Sequence, residues 1–174
     1  MSNSVLSAIA DRRSIRSYKA QQITKEQLDV LVTAAVQSPS ARNAQPWHFS
    51  VVQNAALLGE INQEVSKNLD KDVGDIFYAA PTVFFLSCDP AGRWARLDCG
   101  IATQNIALAA HSLGLGSVIL GMPEAAFTGP RAEYFNKLLK FPEGHAFAVA
   151  VALGFPAGTK EAHAIEPDRI SYIS

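Results

Sequence analysis

The sequence predicts a single domain of the α+β or α/β class, a mostly buried sheet covered by helices. Three observations carry this. The length, 174 residues, fits one domain, and a domain of that size buries roughly 70% of its unfolded surface without disulfides or metal. Two runs, Thr82 to Cys88 and Ala146 to Gly154, are almost wholly apolar, the pattern of inner strands covered on both faces. Strand-like runs at about 48–53, 82–88, 116–121, 146–154 and 169–173 alternate with segments of helical periodicity. No repeat, low-complexity tract or linker interrupts them. Strand order is not readable from the pattern.

Taken in order, Val5 to Asp11 forms a short helix and leads into Arg12-Arg13-Ser14-Ile15-Arg16-Ser17-Tyr18. Guanidinium forks match phosphate oxygens in pairs and serine adds a hydroxyl, so the segment reads as an anion clamp or, equally, as a solvated charged turn. Thr24-Lys25-Glu26-Gln27 is a capping box, opening a helix with Leu28, Leu31, Val32, Ala35 and Val36 on its apolar face. That helix ends before Pro39 and delivers the chain into Ser38-Pro39-Ser40-Ala41-Arg42-Asn43-Ala44-Gln45-Pro46-Trp47. Pro39 and Pro46 push the residues before them into extended conformations, so no helix runs through the loop. A rigid loop dense in donors and acceptors suits the edge of a flat polar heterocycle, while an ordinary helix-to-strand connection is the plainer alternative.

Beyond the strand from His48, an amphipathic helix runs from Ala55 to about Leu69, carrying Leu57, Leu58, Ile61 and Val65. A polar loop then leads into the apolar strand from Thr82. The longest helical pattern, about Arg93 to Leu113, mixes Leu97, Ile101, Ile106 and Leu108 with Gly100, Ala102, Ala107, Ala109 and Ala110. Small residues on several sides permit close packing against the sheet, other helices or a second subunit. Gly114-Leu115-Gly116-Ser117-Val118-Ile119-Leu120-Gly121 is no dinucleotide fingerprint, because it leaves a helix to enter a strand. It reads instead as a glycine helix cap at Gly114, a buried strand, and open backbone at Leu120-Gly121 where a ligand can approach. A helix over Pro130 to Phe141, the apolar strand broken at Gly154-Phe155-Pro156, an irregular tail and an edge strand at Arg169 to Ile173 complete the chain.

Composition narrows the function. The chain is 48% hydrophobic and 18% charged with a net charge of -1, so no overall basic field attracts nucleic acid. Met1-Ser2-Asn3-Ser4 lacks a secretory leader's basic start, and the longest apolar run, Ala146 to Phe155, falls far short of a bilayer span. The expectation is a cytoplasmic protein without membrane or nucleic-acid partners. Cys88 and Cys99 are expected as buried free thiols. His48, His111, His145 and His163 show no metal-ligand spacing.

Four motifs in this order, Arg12 to Tyr18, Ser38-Pro39-Ser40-x-x-Asn43-x-Gln45-Pro46-Trp47, Gly114-Leu115-Gly116-Ser117 with a glycine after the strand, and Ala152-Leu153-Gly154-Phe155-Pro156, resemble the FMN-dependent nitroreductase family. The resemblance spans nearly the whole chain, which looks like a compact member. It implies a three-layer α+β fold with a mostly antiparallel central sheet and a C-terminal strand exchanged between the subunits of a homodimer. It implies that Arg12, Arg13, Ser14 and Arg16 hold the FMN phosphate and pyrimidine edge. Pro39, Ser40, Ala41 and Asn43 would line the flavin from the other subunit with Gln45 in support, and the Leu120 and Gly121 backbone would lie near ring N5. Arg169, or alternatively Lys160, would complete the phosphate site, although Asp168 stands where larger members often carry a second basic residue. The implied activity is ping-pong hydride transfer from NADH or NADPH to nitroaromatics, quinones or related flat acceptors. A same-fold flavin enzyme of dehalogenase-like, flavin-destroying or azoline-oxidising type, and a non-catalytic flavin-binding protein, are the alternatives.

Overall fold

The computed structural model describes residues 3–162, 164 and 166–173; Met1, Ser2 and His163 of the sequence reading lie outside them. Four strands, β1 (Trp47–Val52), β2 (Thr82–Cys88), β3 (Gly116–Leu120) and β4 (Ala146–Gly154), form one sheet in the order β1-β2-β4-β3 with every pairing antiparallel. Among the described residues six helices surround it: α1 (Ser4–Asp11), α2 (Lys25–Val36), α3 (Ala55–Asn68), α4 (Ala95–Ser112), α5 (Glu124–Thr128) and α6 (Ala132–Leu138). The chain is therefore an α+β protein.

Period-two alternation in the inner strands builds three layers. Val83 and Phe85 of β2, with Phe147, Ala150 and Ala152 of β4, face one core with Leu58, Ile61 and Val65 of α3, Phe127 of α5 and Phe135 of α6. Phe84, Leu86 and Cys88, with Val151 and Leu153, face the opposite core against Leu31 and Ala35 of α2 and Cys99, Ala102, Ile106 and Ala110 of α4. Both cysteines are buried free thiols. Residue Ala148 interrupts the β2–β4 register, where Leu86 opposes Val149 and Ser87 opposes Phe147.

Local chemistry sets the helix ends. Thr24 accepts a hydrogen bond from Gln27 N, and the Gln27 side chain accepts one from Thr24 N, the expected capping box. Gly114 closes α4 at φ 72°, the left-handed conformation that glycine adopts without Cβ cost. Two expectations need correction. The helix expected over Pro130 to Phe141 is only Ala132–Leu138, and the short α5 precedes it; five residues are too few to show a 3.6-residue period. The expected edge strand at 169–173 is not a strand within this chain: Pro167–Arg169 forms one 3₁₀ turn and residues 170–173 run irregularly and exposed. With no strand beside it, the alternating pattern there has no ladder to join.

Candidate functional site

The clamp segment lies as a strap on the end of the sheet. Ser14 bridges in parallel to Ser117 of β3, and Tyr18 bridges to Pro156 just past β4. Ile15 N donates to Ser117 O at 2.9 Å and Lys19 N to Phe155 O at 2.9 Å. The contact is close enough to require glycine beneath it: a Cβ on Gly116 would lie 2.9 Å from Ile15, and one on Gly154 would lie 2.6 Å from Pro81 Cδ. Tyr18 pins the strap by donating its hydroxyl to Ile15 O at 2.8 Å, with Ala152 O a second acceptor at 3.2 Å. Burial raises the Tyr18 pKa well above the ordinary phenol value.

This anchoring gathers cations around a concavity. Arg12, Arg13, Ser117, Gly158 and Lys160 line a cavity of about 340 Å³. Ser14, Arg16, Ser17, Thr159 and Lys160 line an adjoining one of about 210 Å³. Arg13 Nη1 donates to Ala10 O at 2.6 Å and Arg12 O at 2.9 Å, so part of this guanidinium satisfies carbonyls at the end of α1. The Nε atoms of Arg12 and Arg13 are both buried without a hydrogen-bond partner. A buried donor in that state costs about 1–3 kcal/mol, and more when charged. Among the described residues no carboxylate pairs with Arg12, Arg13, Arg16 or Lys160. An oxyanion with several acceptor oxygens satisfies this donor set, and the residues fit a phosphate group.

Lys160 stands at both cavities, whereas Arg169 is exposed in the tail and pairs with Glu166 at 2.5 Å. Within one chain, then, the tail residue beside the clamp is Lys160. From the sequence, Lys160 is only the alternative to Arg169, Ser117 stands within a motif but not as a site residue, and Gly158 and Thr159 are passed over. The Gly158-Thr159-Lys160 run, just past the Pro156 break, is the signal that could have found them.

The Ser38–Trp47 loop is rigid for reasons the sequence shows only in part. Ser38 is buried and accepts a hydrogen bond from Asn105 Nδ2 at 2.9 Å. Ala41 N donates to Asp98 Oδ1 at 3.1 Å, Gln45 N to Ser40 Oγ at 2.9 Å, and Gln45 Nε2 to Asn43 Oδ1 at 3.0 Å. These bonds hold Arg42, Asn43 and Gln45 at φ of 56°, 54° and 46°, left-handed conformations that cost residues such as Arg42 and Gln45 about 1–2 kcal/mol each and asparagine less. Strain of this kind concentrates at functional segments. Pro39, Asn43 and Gln45 are exposed while Ser40 and Ala41 are half-buried, and none of the five lines either clamp cavity. Asp98 and Asn105, missed from the sequence, lie on a helix that also carries Arg96, Thr103, Gln104 and His111, so nothing in the pattern singles them out.

Leu120 and Gly121 sit at the far end of β3, roughly 10 Å along the strand from Ser117. Leu120 is buried, while Gly121 is exposed with no atom within 4 Å of where a Cβ would stand, so its backbone is open. The structure thus brings Arg12, Arg13, Ser14, Arg16 and Lys160 together, and leaves the loop, the Leu120–Gly121 backbone and Arg169 outside that group.

Two other places offer less. A cavity of about 630 Å³ lies at the other end of the strap, where Gln22, Asn62 and Asp75 are committed to hydrogen bonds within the protein. Ser87 Oγ lies 3.3 Å from His145 Nδ1, but Ser87 is fully buried and offers no accessible nucleophile.

Known proteins are similar to this chain in sequence and fold. A nitroreductase with bound FMN from Desulfitobacterium hafniense DCB-2 superposes with a TM-score of 0.95 at 38% identity over 100% of both chains. A protein of Methanothermobacter thermautotrophicus, provisionally named an NADH dehydrogenase/NAD(P)H nitroreductase, is 38% identical over 174 residues, covering 95% of this chain and 85% of its own. An FMN reductase [NAD(P)H] of Bacillus subtilis is 28% identical over 179 residues, covering 89% of this chain and 67% of its own. Residues 9–155 match the nitroreductase family across the strap, the loop, the four strands and the Gly154-Phe155 break. On that span the chain belongs to the nitroreductase family.

Proposed function

We propose that this protein is an FMN-dependent oxidoreductase that takes hydride from NADH or NADPH by a ping-pong mechanism and reduces nitroaromatics, quinones or related flat acceptors. The observation that carries it is the pair of buried, unpartnered Arg12 and Arg13 Nε atoms at a cationic cavity. When bound, FMN supplies two-electron hydride chemistry at ring N5. Arg12, Arg13, Ser14, Arg16 and Lys160 hold its phosphate and pyrimidine edge. The open backbone at Leu120 and Gly121 admits the ring. The loop of a second copy brings Pro39, Ser40, Ala41 and Asn43 to the flavin, braced by Gln45, and its rigidity fixes the ring edge without an induced fit. Arg169 is free to complete a phosphate site only if the tail changes its position.

Assembly as a homodimer accompanies this function. Val5, Leu6 and Ile9 of α1 and Leu97 of α4 are exposed apolar residues, and β1 has no partner along its outer edge among the described residues. The 169–173 segment of the second copy supplies that partner. The cytoplasm is the matching compartment; among the described residues no helix is long and apolar enough to cross a membrane.

The test is the visible spectrum of the purified protein with FMN, before and after anaerobic NADH. Bound flavin bands that bleach establish both cofactor and first half-reaction; absence of bound flavin overturns the proposal. Arg12→Ala is expected to weaken FMN affinity by about 1.5–3 kcal/mol, the value of a hydrogen bond to a charged group. Unchanged affinity in a fluorescence titration makes the strap only a charged turn.

A further inference from the structure

We infer that the cleft between the 41–46 turn and the start of α4 is a specificity subsite for acceptors whose aromatic ring carries an anionic substituent, an inference that rests on the function proposed above. The cleft, about 280 Å³, is lined by Arg42, Pro46, Arg93, Trp94 and Asp98, among others. Its volume suits a single ring better than a dinucleotide. Trp94 is 47% exposed at its rim, and the Arg93 guanidinium carbon lies over its ring 4.8 Å from the centroid, so the exposed part of the indole is what a flat ligand can meet.

Two arginines against one acid leave the cleft with a positive balance. Among the described residues neither Arg42 nor Arg93 has a carboxylate partner within salt-bridge distance, whereas neighbouring Arg96 is paired with Glu124 at 3.3 Å. Asp98, the acid of the cleft, is 3% exposed and has Oδ1 committed to Ala41 N. Trp94 caps α4 without a side-chain acceptor; Ala95 N bonds Gly92 O, and Asp98 in the first turn offsets part of the positive potential of the helix start. Arg42 occupies this wall at φ 56°, in a left-handed position that asparagine or glycine fills at lower cost. Two unpaired guanidinium groups, a helix start and an exposed indole thus converge beside the loop assigned to the flavin. A carboxylate-bearing or sulfonate-bearing aromatic acceptor answers all of them.

The 2′-phosphate of NADPH offers the same anionic chemistry, and the experiment separates the two. Trp47→Phe leaves Trp94 as the one indole, since the chain has two tryptophans. Quenching of its fluorescence by 4-nitrobenzoate and by neutral 4-nitrotoluene is measured on the flavin-loaded protein without turnover. The expected result is quenching by the anion at a concentration lower by about tenfold or more, as one charge-assisted hydrogen bond implies. Arg42→Asn, which keeps the left-handed backbone, combined with Arg93→Gln, abolishes this preference and lowers the ratio of kcat/KM for 4-nitrobenzoate over 4-nitrotoluene by a similar factor. Equal quenching by the two compounds, or an unchanged ratio in the double variant, overturns the inference while bound FMN still supports the function. Adenosine 2′,5′-bisphosphate quenching as strongly as 4-nitrobenzoate overturns the assignment to the acceptor and gives the cleft to the hydride donor. Selective quenching in a protein that holds no FMN keeps the anion subsite and sinks the flavin function instead.

Discussion

Tyr18 illustrates how much of the clamp depends on a residue that carries no charge. Its hydroxyl reaches two carbonyls, one on the strap and one on β4, and so fixes Arg12 to Arg16 against the sheet. Tyr18→Phe is expected to destabilise the fold by about 1 kcal/mol, read by chemical denaturation, because the ring still packs but one hydrogen bond is lost. The sign of its pH dependence follows from the raised pKa. The folded state favours the neutral phenol, so its contribution is whole below the unfolded value near pH 10 and is lost as pH rises beyond it. Of the four tyrosines in the chain, this one should ionise only together with unfolding. Phenolate absorbance that reaches four tyrosines before circular dichroism changes contradicts that. Composition revealed the arginines of the clamp because their donor chemistry is intrinsic to the residue. Tyr18 stood in the sequence as the last residue of the clamp motif with no role of its own, since its acceptor on β4 lies 134 positions away in the chain. Gly154 was legible as a break and not as a contact; its real constraint is the 2.6 Å approach to Pro81, and Gly154→Ala should cost about 1–3 kcal/mol by overpacking.

Elements were legible to the degree that their determinants are local. The capping box and heptad-like apolar spacing of α2 lie within a dozen residues, and the helix forms where both place it. The apolar runs of β2 and β4 are inner strands because each is covered on both faces, which a continuous apolar run already encodes. By contrast, the antiparallel order β1-β2-β4-β3 is set by packing across the whole chain and leaves no local trace. The loop between α2 and β1 falls between these cases. Its prolines and polar residues announced a rigid segment, but the three left-handed residues depend on α4, a helix that follows some 50 residues later, through Asp98 and Asn105. Asp98→Ala should therefore loosen the loop first: hydrogen exchange at the Ala41 amide speeds up while amides of β2 keep their protection. Asp98→Asn retains an acceptor oxygen and should preserve much of the protection. Equal exchange in wild type and Asp98→Ala means that the prolines alone hold the loop.

At the scale of the whole molecule, the single chain leaves several demands open at once. Among the described residues, apolar side chains of α1 stay exposed, β1 has no partner on its outer edge, and the tail holds Tyr172 at 93% and Ile173 at 95% exposure. An open edge with alternating residues elsewhere on the same chain invites strand addition, and in a two-fold assembly each copy both gives and receives. On the exchange proposed above, the alternation of Arg169 to Ile173 would be a strand pattern whose ladder belongs to another molecule, and the pattern would be visible where this chain alone shows no strand. Two shared features, the loop and the tail, would make flavin retention depend on association. Light scattering combined with flavin absorbance tests this on the full chain and on a chain ending at residue 166. The full chain is expected to run as a dimer holding FMN, and the shortened one to dissociate at higher concentration and lose flavin in parallel. A full-length monomer that keeps its flavin refutes the shared site. A shortened chain that remains an equally tight dimer keeps the shared site and refutes the strand exchange, leaving α1 and α4 to hold the two copies together.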